Sequence, residues 1–510
     1  MLAIDAHHVR VTCTRRRLWL FRLAAVLLGL SVFVAAEGLC SLFDLGRPTE
    51  DDDPFVGFSE IHPLFVLDDA KSEYSIASSR RKFFAPESFS AKKSAGTFRI
   101  FCLGGSTVQG RPYAPKTSFT SWLELSLNAV ATDRHWETVN CGGISYASYR
   151  LVPILKECLA YEPDLFILCT GHNEFLEERS YAHLKYAPEF AVTSYRSLAR
   201  FRVFSLLRET KQSAQNWFAG SAAPHKPQMK TEVDPLLDYE GGLKAFKRDE
   251  PWRAQVIEHF EANLRRMTGL CRSAGVPLLL VTPPSNLRDC PPFKSVHRSG
   301  LTEQERKNFA SLVEEARTHY RDDLQRSIRL LQQAVEIDAQ HAALFYELGQ
   351  CYDALGLYDQ ARSAFLQSRE LDICPLRILA PMERAIEKVG RDWDVPVIDA
   401  HQLLQRETAH GILGDSWLVD HIHPSPERGH QAIAWALIEE MIRQGWADVS
   451  SDWLSRARAV CRQEYESLDS LYFLRGQEEL RNLRDWAKGR VKGHPLESQS
   501  NRRRDMGLVE

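Results

Sequence analysis

The chain lacks a dominant charge: 64 Lys and Arg stand against 67 Asp and Glu, a formal net charge of −3 over 510 residues. Nucleic acid is bound through a basic field, so no nucleic-acid partner is expected. CxxC pairs are missing among the eleven cysteines, which argues against a zinc or disulfide framework. Cys102, Cys141 and Cys169 fall in or beside expected core strands, where a thiol acts as a small hydrophobe. Long apolar runs are scarce too, Leu18–Ala36 being the one of note. What is present is ample core material, 44% hydrophobic residues, in a chain longer than the usual roughly 100–200 residues of one domain.

Arg15-Arg16-Arg17 precede Leu18–Ala36, and only Arg22 interrupts the run, near its end. That pattern predicts a transmembrane helix over 18–36 after a basic cytoplasmic segment, 1–17. The expectation is a single-pass cell-membrane protein with its catalytic body outside the cytoplasm. The rival is a signal peptide cut after Val34-Ala35-Ala36, giving a secreted or periplasmic chain. A buried helix is the third reading. Cys40 is a poor lipidation site, because Leu39 stands where a small residue is needed.

Residues 44–96, with an acidic run (Glu50–Asp53) and Pro and Gly breaks, read as an extended juxtamembrane arm. FRIFCLGGSTVQG, Phe98–Gly110, then reads as a buried strand that ends in Gly104-Gly105-Ser106-Thr107. A helix over Ser118–Val130 follows, and a second strand, Glu137–Cys141, ends in Gly142-Gly143-Ile144-Ser145-Tyr146. After a helix over about Ser148–Leu159, a third strand, Leu165–Cys169, ends at Thr170-Gly171-His172-Asn173-Glu174. Further strands are expected at Val276–Thr282, behind an amphipathic helix around Val256–Arg272, and at Val395–Ala400. Three β–turn–α units in a row, each with glycine at the strand's end, predict a parallel doubly wound α/β sheet. Residues 178–253 read as an insertion, either a lid over the site or a plain surface excursion.

Between the fourth and fifth strands, Phe345–Asp372 fits the tetratricopeptide pattern through Phe345, Leu348, Gly349, Tyr352, Gly356, Tyr358, Ala361 and Phe365. Glu336-Ile337-Asp338 returns as Glu370-Leu371-Asp372 after 34 residues. One repeat plus a further helix cannot stand alone, so a helical unit over 301–375 must lean on its neighbours. It offers a site for a protein partner, or is a helical insertion without one. Pro426 opens a helix to about Gln444, and the tail, 446–510, is expected to be helical and then frayed around Arg502–Arg504.

On a parallel sheet the carboxyl ends of the strands share one edge. That gathers Ser106, the Gly143–Ser145 turn, Asn173, Asp420 and His423. Acyl transfer needs a nucleophilic hydroxyl, a base, an acid that orients the base, and donors for an oxyanion. Ser106, His423 and Asp420 supply the first three, and the N–H groups of Ser106 and Ser145 with the Asn173 amide supply the last. Gly105, Gly143, His172 and His421 are expected to line the substrate. Each has a plainer role available: Ser106 as a helix N-cap, Asn173 closing a turn, Asp420 capping a turn, His423 in an open loop, Glu174 as a surface acid.

These positions resemble the four blocks of the SGNH (GDSL-like) hydrolases: Gly104–Thr107, Asn140–Tyr146, Gly171–Glu174 and Asp420–His423. The resemblance covers about 97–295 and 376–445. It implies a three-layer α/β/α fold with a flavodoxin-like sheet, a first part over 97–300 and a second over 376–445. It also implies a Ser-His-Asp esterase mechanism with a three-donor oxyanion hole, and neither metal nor cofactor. Two positions depart from the family: Gly105 stands where an Asp is usual, and Ser145 where the second block has glycine.

The leading expectation is therefore an esterase, deacylase or O-acyltransferase acting on an ester, with O-acylated polysaccharide the substrate suggested within the resemblance. Two other classes are open. His172, Glu174, His421 and His423 could serve metal-dependent hydrolysis. An inactive hydrolase-like body carrying the repeat unit could be an assembly protein.

Overall fold

The computed structural model describes residues 15–43, 53, 55–179, 202–203, 206, 228–238 and 242–488. They fall into two units, Met1–Phe55 with Ser180–Pro227, and Val56–Arg179 with Gln228–Glu510.

In the first unit, α1 (Arg15–Leu42) contains the apolar stretch 18–36. The expected membrane anchor is corrected here. Among the described residues no helix is long and apolar enough to cross a membrane, which overturns the single-pass placement and leaves a membrane partner without support. The helix starts on three arginines and runs on past Ala36 through Glu37. The Glu37 carboxylate accepts the backbone N–H groups of Arg202 and Val203 at 2.7 and 2.9 Å, so that end of the helix is committed to protein. The basic segment 1–14, most of the acidic run and the frayed terminus expected near 502–504 lie outside the described residues.

The second unit begins with short strands where the sequence pattern predicts a loose arm. β1 (Gly57–Phe58) has a distant parallel partner, while β2 (Phe65–Asp68), β3 (Glu73–Ile76) and β4 (Ser88–Ser90) form an antiparallel sheet. Leu64, Phe65, Ile76, Phe83, Phe84 and Phe89 are buried, so this segment is bound firmly into the body. β5 (Thr97–Gly104), β6 (His135–Gly142), β7 (Leu165–Cys169), β9 (Leu278–Thr282) and β10 (Val397–Asp399) form the main sheet; β8 (Gln228–Met229) pairs with β1. Its order is β10-β9-β7-β5-β6 and every ladder is parallel. In chain order that is 2-1-3-4-5, the flavodoxin-like winding.

Register decides where the site falls. Gly104 pairs with both Gly142 and Cys169, so the three strands stop level with one another. Alternate residues form one sheet face: Ile100, Cys102, Ile167, Cys169, Leu279 and Val281 pack with Trp122 and Leu127 of a helix over Phe119–Val130, and with Leu437 and Met441 of one over Gly429–Arg443. Phe101, Leu103, Phe166, Leu168 and Leu280 are buried on the other face, on the side of the Ser148–Cys158 and Glu250–Ala274 helices. Burial on both faces explains the continuous apolar strands.

Four antiparallel helices, Glu303–His319, Leu324–Ile337, Ala342–Ala354 and Tyr358–Leu371, make the inserted unit. Their own core contains Phe309, Val313, Leu331, Leu344, Leu348 and Cys351. The two aspartates that recur at 34 residues are where the unit leans on its neighbour. Asp338 accepts from His297 Nδ1 and Arg298 N (2.8 and 3.2 Å), and Asp372 from Phe293 N and Lys294 N (2.8 and 3.0 Å). The 178–253 insertion lies largely outside the described residues. After the main sheet, two further helices, Trp453–Ser467 and Ser470–Ala487, complete the described chain; we call the last of these the terminal helix.

Candidate active site

Ser106 opens a one-turn helix, Ser106–Gln109, two residues beyond the end of β5. Its N-cap is Gly105, and no side chain caps the turn. The hydroxyl instead contacts His423: Ser106 Oγ lies 2.7 Å from His423 Nε2, and His423 Nδ1 lies 2.7 Å from Asp420 Oδ2. All three residues are buried. Asp420 Oδ1 accepts the N–H groups of Ile422 and His423, each at 2.9 Å, so the carboxylate shapes its own loop as well as orienting the ring. Val419 N closes that loop on His423 O at 2.8 Å.

Burial works to raise the Asp420 carboxyl. The imidazoles of His423 and His421 and the N–H donors outweigh it and hold the group well below the usual carboxylate range. An ionised Asp420 can only accept, so His423 Nδ1 carries the proton and Nε2 is left to accept from the serine hydroxyl. Burial also pushes His421 down to about 4, and His172 well below its ordinary value, so both are neutral near pH 7.

Asn173 follows β7 by four residues, and its Nδ2 donates to Tyr146 O at 3.0 Å. The amide is thereby fixed with one N–H still to give. A Cβ added to Gly105 would sit 2.5 Å from that nitrogen. A side chain at 105 would therefore require the Asn173 amide to shift from its present position. Ser145 has φ of 62°, the left-handed conformation that glycine adopts most easily, and supplies it with a serine. Asn140 braces the same turn, its Nδ2 donating to Val108 O and its Oδ1 accepting from Gly142 N, both at 3.0 Å.

A narrow pocket is lined by Ser106, Ser145, Asn173, His421 and His423 together with residues no motif pointed to. Asp420 stands behind His423. Gly105 and Gly143 back the turns, Gly143 N donating to Gly104 O at 2.9 Å. His172 is turned to the scaffold, where its Nδ1 accepts from Ile378 N at 3.0 Å. Glu174 accepts from Ser148 N and Oγ (2.6 and 3.0 Å) and faces Arg179. Among the described residues no three His, Cys, Asp or Glu side chains gather so as to hold a metal ion.

The unanticipated wall is apolar with one cation. Leu483 and Trp486 of the terminal helix cluster with Leu176, Leu237, Phe246 and Leu376. Arg111 also lines the pocket, held by Glu479 of the same helix at 2.6 Å. Asn286 was equally unforeseen. Its Nδ2 donates to Asp420 O at 3.0 Å and Asp415 Oδ1 at 2.7 Å, and its backbone N to His421 O at 2.9 Å. An Asn in a Pro-Pro-Ser-Asn loop reads as an ordinary turn residue, so no sequence signal marked it.

Comparison with known proteins gives three findings. A tetratricopeptide-repeat family model matches residues 320–372. No curated protein matches the chain. Solved structures similar to it include a catalytic mutant of an acetylxylan esterase from Geobacillus stearothermophilus (12% identity, 69% of this chain and 96% of that one, TM-score 0.30). Others are a lipase/acylhydrolase from Enterococcus faecalis (12%, 69% and 99%, 0.30) and a GDSL-like lipase from Bacteroides thetaiotaomicron (10%, 68% and 88%, 0.28). The family-model match places a tetratricopeptide-type unit at 320–372.

Proposed function

We propose that this chain is a serine esterase acting through an acyl-enzyme on an O-acylated carbohydrate or another ester. The observation that carries the reading is the unbroken line Ser106 Oγ, His423 Nε2, His423 Nδ1, Asp420, with 2.7 Å at each contact. Ser106 gives its proton to His423 and attacks the ester carbonyl. The imidazolium is held by Asp420, and the new oxyanion takes hydrogen bonds from Ser106 N, Ser145 N and Asn173 Nδ2. His423 then returns the proton to the departing alcohol oxygen, leaving the acyl group on Ser106. A water, or a sugar hydroxyl in a transferase, gives its proton to His423 and attacks, and the serine is released.

In this reading the catalytic body spans 97–300 and 376–445, and the 301–375 unit offers a surface to a protein partner. A fluorophosphonate tests the nucleophile, since an activated serine oxygen displaces its fluoride and becomes phosphonylated. Mass spectrometry should find the adduct on Ser106 and none in His423→Ala. An adduct elsewhere, or none on folded protein, would overturn the assignment.

A further inference from the structure

A second opening lies beside the catalytic pocket, a groove of about 360 Å³ between residues 112–116 and the first half of the terminal helix. Its size falls within the range of pockets that hold organic ligands. Tyr113 and Tyr472 line it as a near-parallel pair, ring centres 6.3 Å apart and planes at 22°. Gly476 makes that possible: a Cβ there would come within 2.1 Å of the Tyr113 ring, so the ring lies directly on the helix. The Tyr472 hydroxyl is already bonded to Thr117 Oγ1 at 2.7 Å and to Ala114. Tyr472 can therefore give the groove only its ring.

The charged groups at the groove are unequally committed. Glu479 is neutralised by Arg111, and Asp469 caps the helix by accepting Tyr472 N at 2.7 Å. Lys116 and Arg475 are exposed and, among the described residues, have no ion pair. The groove is thus lined by two tyrosine rings and two cations that, among the described residues, have no ion pair. The Arg111–Glu479 contact joins it to the catalytic pocket, because Arg111 lines one opening and Glu479 the other.

We propose that this groove binds the carbohydrate part of the substrate, a glycan chain bearing carboxylates, while an O-acyl group on it reaches Ser106. Sugar rings lay their C–H faces on aromatic rings, and carboxylates on successive sugars pair with an ammonium and a guanidinium. The inference rests on the esterase reading for its purpose, but its test needs no turnover.

The full chain carrying Ser106→Ala is titrated calorimetrically with hexagalacturonate and, as the neutral control, xylohexaose. Hexagalacturonate should bind about tenfold more tightly or better, and raising the salt should weaken it. Adding Tyr113→Ala, or Lys116→Ala with Arg475→Ala, should weaken it by about tenfold or more. The exposed Lys116 and Arg475 pair keeps the test available if the Tyr113 variant does not fold. Equal binding of both sugars, no heat from either, or unchanged binding by a folded double variant would overturn the proposal. Wild-type turnover of p-nitrophenyl acetate tests the esterase reading separately, so failure of one is told apart from failure of the other.

Discussion

The side-chain amide of Asn286 donates to the backbone carbonyl of Asp420 across 3.0 Å, and its second contact, to Asp415, holds the amide in place. The same Asn286 offers its own carbonyl to Arg377 Nη1 at 2.8 Å, and Arg377 lies 3.7 Å from Asp372 of the inserted unit. The loop that carries Asp420 and His423 is thus braced from the strand β9 side by a residue that never faces the pocket.

Asn286→Ala should leave the buried Asp420 carbonyl unpaired, while the exposed Asp415 carboxylate turns to water, a loss of about 1–3 kcal/mol. If that loss falls on the position of His423, kcat should drop about ten- to a hundredfold with little change in KM. Steady-state kinetics on p-nitrophenyl acetate read this, and Asn286→Asp, which cannot donate, should not rescue it. A rise in KM at unchanged kcat would show that the residue acts on binding instead.

Trp486→Ala should widen the acyl end of the pocket, where Trp486 and Leu483 stand against Leu176 and Leu376. The ratio of kcat/KM for p-nitrophenyl hexanoate over acetate should rise in the variant. Loss of a buried indole that also donates to Asp238 at 2.6 Å should lower stability by about 3–5 kcal/mol. An unchanged ratio in folded protein would place the acyl chain elsewhere.

His421 gives a pH prediction with a definite sign. Burial lowers its folded value to about 4, from 6.5. Between those values the unfolded chain binds the extra proton, so the contribution of neutral His421 is fully present above 6.5 and is lost as pH falls toward 4. The loss is at most roughly 3 kcal/mol. Thermal melting of His421→Gln should therefore fall less steeply than wild type from pH 6.5 to 4. A variant with the steeper slope would reverse the sign.

Much of this site was legible because its parts sit at strand ends. Apolar runs that stop at Gly104, Gly142 and Cys169 are visible in the sequence, and the register that makes them level follows from parallel pairing. The 34-residue recurrence of Asp338 and Asp372 was also plain, and both turned out to anchor the inserted unit to the 293–298 loop. What hid was what only tertiary packing decides. Arg111 and Glu479 are 368 positions apart, and Leu483 and Trp486 sit on a helix whose pattern says only that one side is apolar. Strands of three or four residues such as β2–β4 are too short to show a period and read as an arm. In the amino-terminal helix, apolar composition alone suggests a membrane span, yet no described helix is long and apolar enough to be one.

The central claim is that Ser106 is an activated nucleophile, and p-nitrophenyl acetate hydrolysis beside Ser106→Ala tests it most directly. The account predicts turnover by the wild type that falls by about a thousandfold or more in the variant, with a stoichiometric acetyl adduct on Ser106 trapped by rapid acid quench. Turnover that survives Ser106→Ala in folded protein would contradict it.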